Sequence, residues 1–148
     1  MADIKKTIID FPGARTMCVR EEKFPEGIQD AFRKLESKIG SMRGRKCYGT
    51  LMCGKTEMVY RACVEPLVEG EAEQLQLEKY TIPPGRYAAA KLNNWQQNIP
   101  KIKEIFVALD KTFDIDASRP QIEIYRSNKE AFLLHPVIDE NEIPLTRI

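Results

Sequence analysis

Glu123 and Tyr125 lie two positions apart in residues 120–136, PQIEIYRSNKEAFLLHP, where they alternate with Ile122 and Ile124. In an extended strand this alternation sends a carboxylate and a phenol to one face and the isoleucines to the other. Strand interiors are depleted in glutamate, so an acidic group there needs a reason. Either its face is wet, or the carboxylate awaits a partner that offsets the cost of burying it. Alternation alone defines two faces without labelling them. Ser127-Asn128-Lys129 separates this run from a second apolar run and has the chemistry of a hairpin turn.

The other residues able to do chemistry narrow the field. Cys18, Cys47, Cys53 and Cys63 sit singly in apolar segments without CxxC spacing, and His135 is the only histidine. Zinc sites need clustered Cys and His, so no metal and no cofactor is expected, and the thiols read as small hydrophobes. His135, between Leu134 and Pro136, reads as a structural residue at a strand end. Lys plus Arg number 23 against 22 Asp plus Glu, a net charge of +1 that gives no electrostatic grip on DNA. Hydrophobic residues make up 43% and charged residues 30% of the 148, an ordinary balance for one folded domain. No apolar run reaches transmembrane length, and the N-terminus MADIKKTIID lacks a signal-peptide core. A cytoplasmic location without membrane contact is therefore expected.

Several elements must position these groups. Residues 4–20 read as a strand interrupted or begun by Phe11-Pro12-Gly13. Residues 25–40 read as the first helix, with Pro25 near its start, Gly40 at its end, and Ile28, Phe32, Leu35 and Ile39 on one stripe. Arg43-Gly44-Arg45-Lys46 is a basic loop, followed by strands over 47–53 and 57–65, joined at Gly54-Lys55 and closed by Pro66. Residues 69–78 are polar and acidic and read as a connection. Ile82-Pro83-Pro84-Gly85 then leads into Arg86-Tyr87-Ala88-Ala89-Ala90, as Phe11-Pro12-Gly13 led into the first strand. A second helix after Pro100 carries Ile102, Phe106, Leu109 and Phe113, each displaced by 74 from its counterpart. The Pro-Gly pairs are displaced by 72 and the closing prolines, Pro66 and Pro136, by 70.

Three landmarks in order, at nearly one offset, read as a duplicated β-α-β-β unit. Each unit, a hairpin with one further strand and one helix, is too small to bury its apolar face alone. The expected fold is α+β: a tandem β-α-β-β repeat forming one antiparallel sheet with two helices and a ligand cleft between the halves. The domain would span 1–148, with repeat one at 4–67, repeat two at 78–138 and a polar tail at 139–148.

IPPGRYAAA, a helix, PQIEIYRSNKE and an apolar strand ending LLHPV together resemble the GyrI-like small-molecule-binding domain. That domain is also the effector-binding half of AraC-type and multidrug-responsive MerR-type regulators. The resemblance runs over residues 5–138 and is strongest at Pro84-Gly85-Arg86-Tyr87 and Glu123-Ile124-Tyr125. It implies a channel between two halves, walled by aromatics around a buried glutamate, for bulky, often cationic aromatic compounds. On the EIY motif that glutamate is Glu123. Candidates for the walls are Tyr125, Tyr87 after the Pro-Gly turn, Tyr48 and Tyr60 in the first-half strands, and Trp95, the only tryptophan. Ordinary packing is an open role for each tyrosine. A delocalised cation relieves a carboxylate held in apolar surroundings, and each aromatic face adds about 0.5–2 kcal/mol of cation–π attraction. Regulators of this family carry a helix-turn-helix ahead of the domain, whereas here it begins near residue 1. A stand-alone form without direct DNA binding is expected.

Four functions compete. A stand-alone binder of hydrophobic or cationic aromatic small molecules, acting by sequestration or sensing, leads. An enzyme is second, because the resemblance extends to stand-alone proteins assigned hydrolase activity on cyclopropane-bearing alkylating compounds. There Glu123 would be the catalytic base, although no second carboxylate stands at an obvious catalytic spacing. A protein-interaction role with a topoisomerase partner is third, since the family is named for gyrase inhibition. Haem binding comes last, with His135 the only histidine.

Overall fold

Pro12 and Gly13 break the first apolar segment into two strands, β1 (Lys6–Phe11) and β2 (Ala14–Glu21), that go to different partners. Proline offers no ladder N–H, and Gly13 turns the chain at φ 85°, a left-handed conformation that glycine adopts without strain. A Cβ at Gly13 would come within 3.0 Å of the Ile82 carbonyl oxygen, so the turn also packs against the corresponding crossing at Pro83-Pro84. The structure, a computed structural model, describes residues 6–21, 27–54 and 58–138.

The remaining elements are α1 (Ile28–Ile39), β3 (Cys47–Cys53), β4 (Met58–Val64), α2 (Glu71–Leu75), β5 (Glu78–Ile82) and β6 (Gly85–Asn93). A 3-10 turn (Trp95–Gln97), α3 (Ile99–Thr112), β7 (Gln121–Tyr125) and β8 (Glu130–Pro136) follow. The protein is thus α+β, with three helices and one eight-stranded sheet in the order β1-β6-β8-β7-β3-β4-β2-β5. Every pairing is antiparallel.

Two expectations need correction. Three strands for each long helix were expected and four are found, because the Pro-Gly breaks make separate strands of β1 and β5. The acidic segment 69–78, read as a plain connection, carries the short helix α2. Its first residue is gripped by a half-buried fork: Arg45 Nη1 and Nη2 donate to the two Glu71 carboxylate oxygens at 2.8 and 2.5 Å. Those bonds, with the Leu67 backbone N–H, hold the Glu71 carboxyl down to about 2. Pro25, Lys55, Glu57 and the tail 139–148 lie outside the described residues.

Register places both long helices on one face. Residues paired directly across antiparallel strands point the same way, and Ala62, Gly49, Glu123 and Leu133 are linked by such pairs across β4, β3, β7 and β8. Ala62 packs with Ala31 and Leu35 of α1, whereas Leu133 packs with Ile105, Phe106 and Leu109 of α3. Helix α1 therefore lies over β2 and β4, and α3 over β6 and β8, with β7 and β3 between them. The opposite face carries its own buried cluster, including Phe11, Cys18, Tyr48, Cys63, Tyr87, Ile122 and Leu134. Gly40, at φ 89°, ends α1 by turning its N–H onto the Glu36 carbonyl at 2.8 Å. Among the described residues no helix is long and apolar enough to cross a membrane.

Leu35 is fully buried and anchors α1 to this face. Leu35→Ala should lower the unfolding free energy by about 2–5 kcal/mol, the cost of a cavity where the site cannot collapse. Urea unfolding measures it.

Candidate functional site

Glu123 occupies the middle of the sheet on the helix-bearing face, on the strand that runs between the two helices. Tyr60, on β4, reaches across β3 and donates its hydroxyl to Glu123 Oε1 at 2.7 Å. Tyr125, two residues along β7, donates to the same oxygen at 2.7 Å. That reach depends on Gly49, the β3 residue paired with Glu123. A Cβ there would overlap both the Tyr60 hydroxyl and Glu123 Oε1. A glycine inside a strand weakens the strand and often marks such a close approach.

Rings enclose the three polar side chains. Phe32 of α1 sets its edge against Tyr60 at 6.2 Å and Tyr125 at 6.0 Å between centroids. Trp95 lies over Tyr125 at 4.7 Å, tilted by 55°. The Trp95 indole N–H donates to the Ser127 carbonyl at 2.9 Å, and the Asn94 N–H to the Lys129 carbonyl at 2.5 Å. The turn before α3 is thereby fastened to the β7–β8 hairpin, with Asn94 in the left-handed region at φ 55°.

Among the described residues no ion pair reaches Glu123. Burial pushes its carboxyl above the ordinary carboxylate range, while the Tyr125 and Tyr60 hydrogen bonds pull the other way. Burial also drives both phenols well above their ordinary value, and the Glu123 charge adds to the rise. The two phenols are thus fixed donors at neutral pH, and the carboxyl is the acceptor they share. Such an arrangement can hold a cation against Oε1 and Oε2, or take a proton from a bound molecule.

The six residues singled out from sequence do not all gather here. Glu123, Tyr125, Tyr60 and Trp95 come together. Tyr48 and Tyr87 lie on the opposite face, because Tyr48 pairs with Ile124 and Tyr87 packs with Phe11, Ile122 and Leu134. Tyr48 donates to the Glu65 carboxylate. Tyr87 donates to the Pro83 carbonyl at 2.9 Å, and the Arg119 guanidinium lies 4.7 Å above its ring. Sequence reasoning missed two members of the cluster, Gly49 and the ring of Phe32. The glycine inside CYGTLMC was a signal available for the first. His135 is buried below α3, edge-on to Phe106 at 5.9 Å, with Nε2 3.5 Å from Asp110, and burial lowers its pKa.

No family model and no curated protein matches the sequence. Solved structures match in fold. The Vibrio cholerae integron cassette protein VCH_CASS2 aligns at TM-score 0.70 and 16% identity, over 91% of this chain and 97% of its own. SAV2435, in a structure bound to tetraphenylphosphonium, aligns at TM-score 0.68 and 11% identity, over 93% of this chain and 96% of its own. A hydrolase from Listeria innocua aligns at TM-score 0.57 and 16% identity, over 93% and 94%. At these identities the likeness establishes the fold alone.

Two substitutions test the geometry. Gly49→Ala should destabilise the protein by about 1–3 kcal/mol, the usual cost of overpacking, and chemical denaturation measures it. For Glu123 the sign follows from the raised pKa. Between the ordinary glutamate value and the raised one, the folded state binds more protons than the unfolded state, so stability falls as pH rises. Glu123→Gln lacks that loss. The variant should melt above wild type at neutral pH, with the gap closing below about pH 4. Thermal melts across pH check it.

Proposed function

We propose that this protein binds hydrophobic, cationic aromatic small molecules in a cleft between two repeated halves, with Glu123 as the charged anchor. The observation that carries this reading is a carboxylate in the centre of the sheet, held by two phenols and bordered by Phe32 and Trp95, with no cation of the described chain beside it. A protein gains nothing in stability from that arrangement; an incoming delocalised cation does gain from it.

The duplicated architecture is supported by the strand order. Exchanging β1–β4 with β5–β8 leaves the order unchanged when read from the opposite edge. In this reading each half is a β-β-α-β-β unit that passes its first strand to the other half's edge. The midline then falls between β7 and β3, where Glu123 and Gly49 pair. The cleft would open there, between α1 and α3, by withdrawal of the Phe32 and Trp95 rings from Tyr125. Fold likeness to a protein bound to tetraphenylphosphonium supports the ligand class, as does the resemblance of EIY to the GyrI-like motif.

Trp95, the only tryptophan, reports directly on the site. Tetraphenylphosphonium added to wild type should change its emission saturably. Glu123→Gln should weaken binding about tenfold or more, since interactions with a charged group contribute ~1.5–3 kcal/mol and each 1.4 is tenfold. Unchanged affinity in the variant would remove Glu123 as the anchor.

A hydrolase is the second reading, favoured by the raised pKa of Glu123, which suits a general base. Turnover of an electrophilic substrate, lost in Glu123→Gln, would promote it above capture.

A further inference from the structure

The hydrogen bonds at Glu123 are lopsided. Both tyrosine hydroxyls donate to Oε1, which fills the two acceptor positions of that oxygen. Among the described residues Oε2 receives no hydrogen bond and no ion pair. The Trp95 N–H, the other donor carried by these rings, is committed to the Ser127 carbonyl at 2.9 Å. From β8, the residue paired with Glu123 is Leu133, and from β3 it is Gly49; neither side chain can donate. Phe32 is the α1 residue whose ring reaches the Tyr60 and Tyr125 rings.

We infer that the site selects flat aromatic cations bearing an N–H donor, seated with that N–H on Glu123 Oε2, over onium ions that have none. The inference rests on the binding reading given above and names the ligand class of that same site. A donorless cation neutralises the carboxylate but leaves Oε2 out of water without a hydrogen bond, and an unsatisfied acceptor bears its full desolvation penalty. An ammonium, amidinium or guanidinium group supplies charge and bond together, the stronger combination. Flatness follows from the walls. Phe32 and Trp95 both meet Tyr125, and the surfaces they offer stack best with another ring.

A matched pair of probes isolates the N–H. 2-Naphthylmethylammonium and its N,N,N-trimethyl derivative share ring and charge and differ in the donor. Calorimetric titration into wild type should show the ammonium binding about tenfold tighter, the order expected of a charge-assisted hydrogen bond. Glu123→Gln should weaken the ammonium form and erase the preference. Equal affinities in wild type, or a tighter trimethyl form, overturn the inference; if Glu123→Gln still weakens both, recognition of charge by Glu123 survives. A preference that persists in Glu123→Gln also overturns it, by placing the acceptor elsewhere. Failure of both probes to bind wild type overturns the inference together with the binding reading. The wild-type comparison decides the matter even if the variant does not fold.

Discussion

A carboxylate at the centre of a sheet, with no countercharge beside it among the described residues, is the constraint around which this structure is arranged. Taking Glu123 partly out of water costs free energy whenever it is ionised, and the two phenol hydrogen bonds return only part of it. Supplying those two bonds dictates much else. Tyr60 must cross a neighbouring strand, so β3 carries glycine at the crossing. Tyr125 must lie on the same face two residues away, so β7 keeps strict alternation. Helix α1 packs over β2 and β4 and α3 over β6 and β8, and Phe32 of α1 reaches the Tyr60 and Tyr125 rings between them.

The neighbouring aromatic rings fit the same constraint. Phe32 and Trp95 come from elements on opposite sides of β7 and β3 and meet at Tyr125. They border the polar trio, and in the binding reading proposed above their faces would add cation–π attraction to a bound cation. Trp95 packs at the edge of the core beneath α3 and is tied to the β7–β8 hairpin by its indole N–H on the Ser127 carbonyl. The opposite face of the sheet tells a different story. There Tyr87, Phe11 and Ile122 pack densely, and Tyr87 satisfies its hydroxyl on a backbone carbonyl.

Much of the fold was legible in the sequence because its signals are local. The stripe Ile28, Phe32, Leu35 and Ile39 marks α1, and the Pro-Gly pairs mark where strands break. Alternation at Ile122-Glu123-Ile124-Tyr125 marks β7 and its two faces. What sequence could not supply was pairing. Nothing local says that β1 leaves β2 for β6, or that β3 lies between Tyr60 and Glu123. Without that register, Tyr48 and Tyr87 look equivalent to Tyr60, yet one residue of shift along a strand sends a side chain to the other face. Gly49 gave a usable signal, but its meaning is a three-strand contact that appears only once β4, β3 and β7 are side by side. The helix α2 was hidden for a similar reason, since Arg45 stabilises it from 26 residues away.

The most direct test of the central claim is the ionisation of Glu123 itself. Carbon-13 NMR of glutamate side-chain carboxyls, with the Glu123 signal assigned by its loss in Glu123→Gln, gives the midpoint with and without tetraphenylphosphonium. The expected result is a midpoint above the ordinary glutamate range in the free protein that moves down when the cation binds. An ordinary midpoint, unmoved by saturating cation, would contradict the view that this carboxylate is held in readiness for a positive charge.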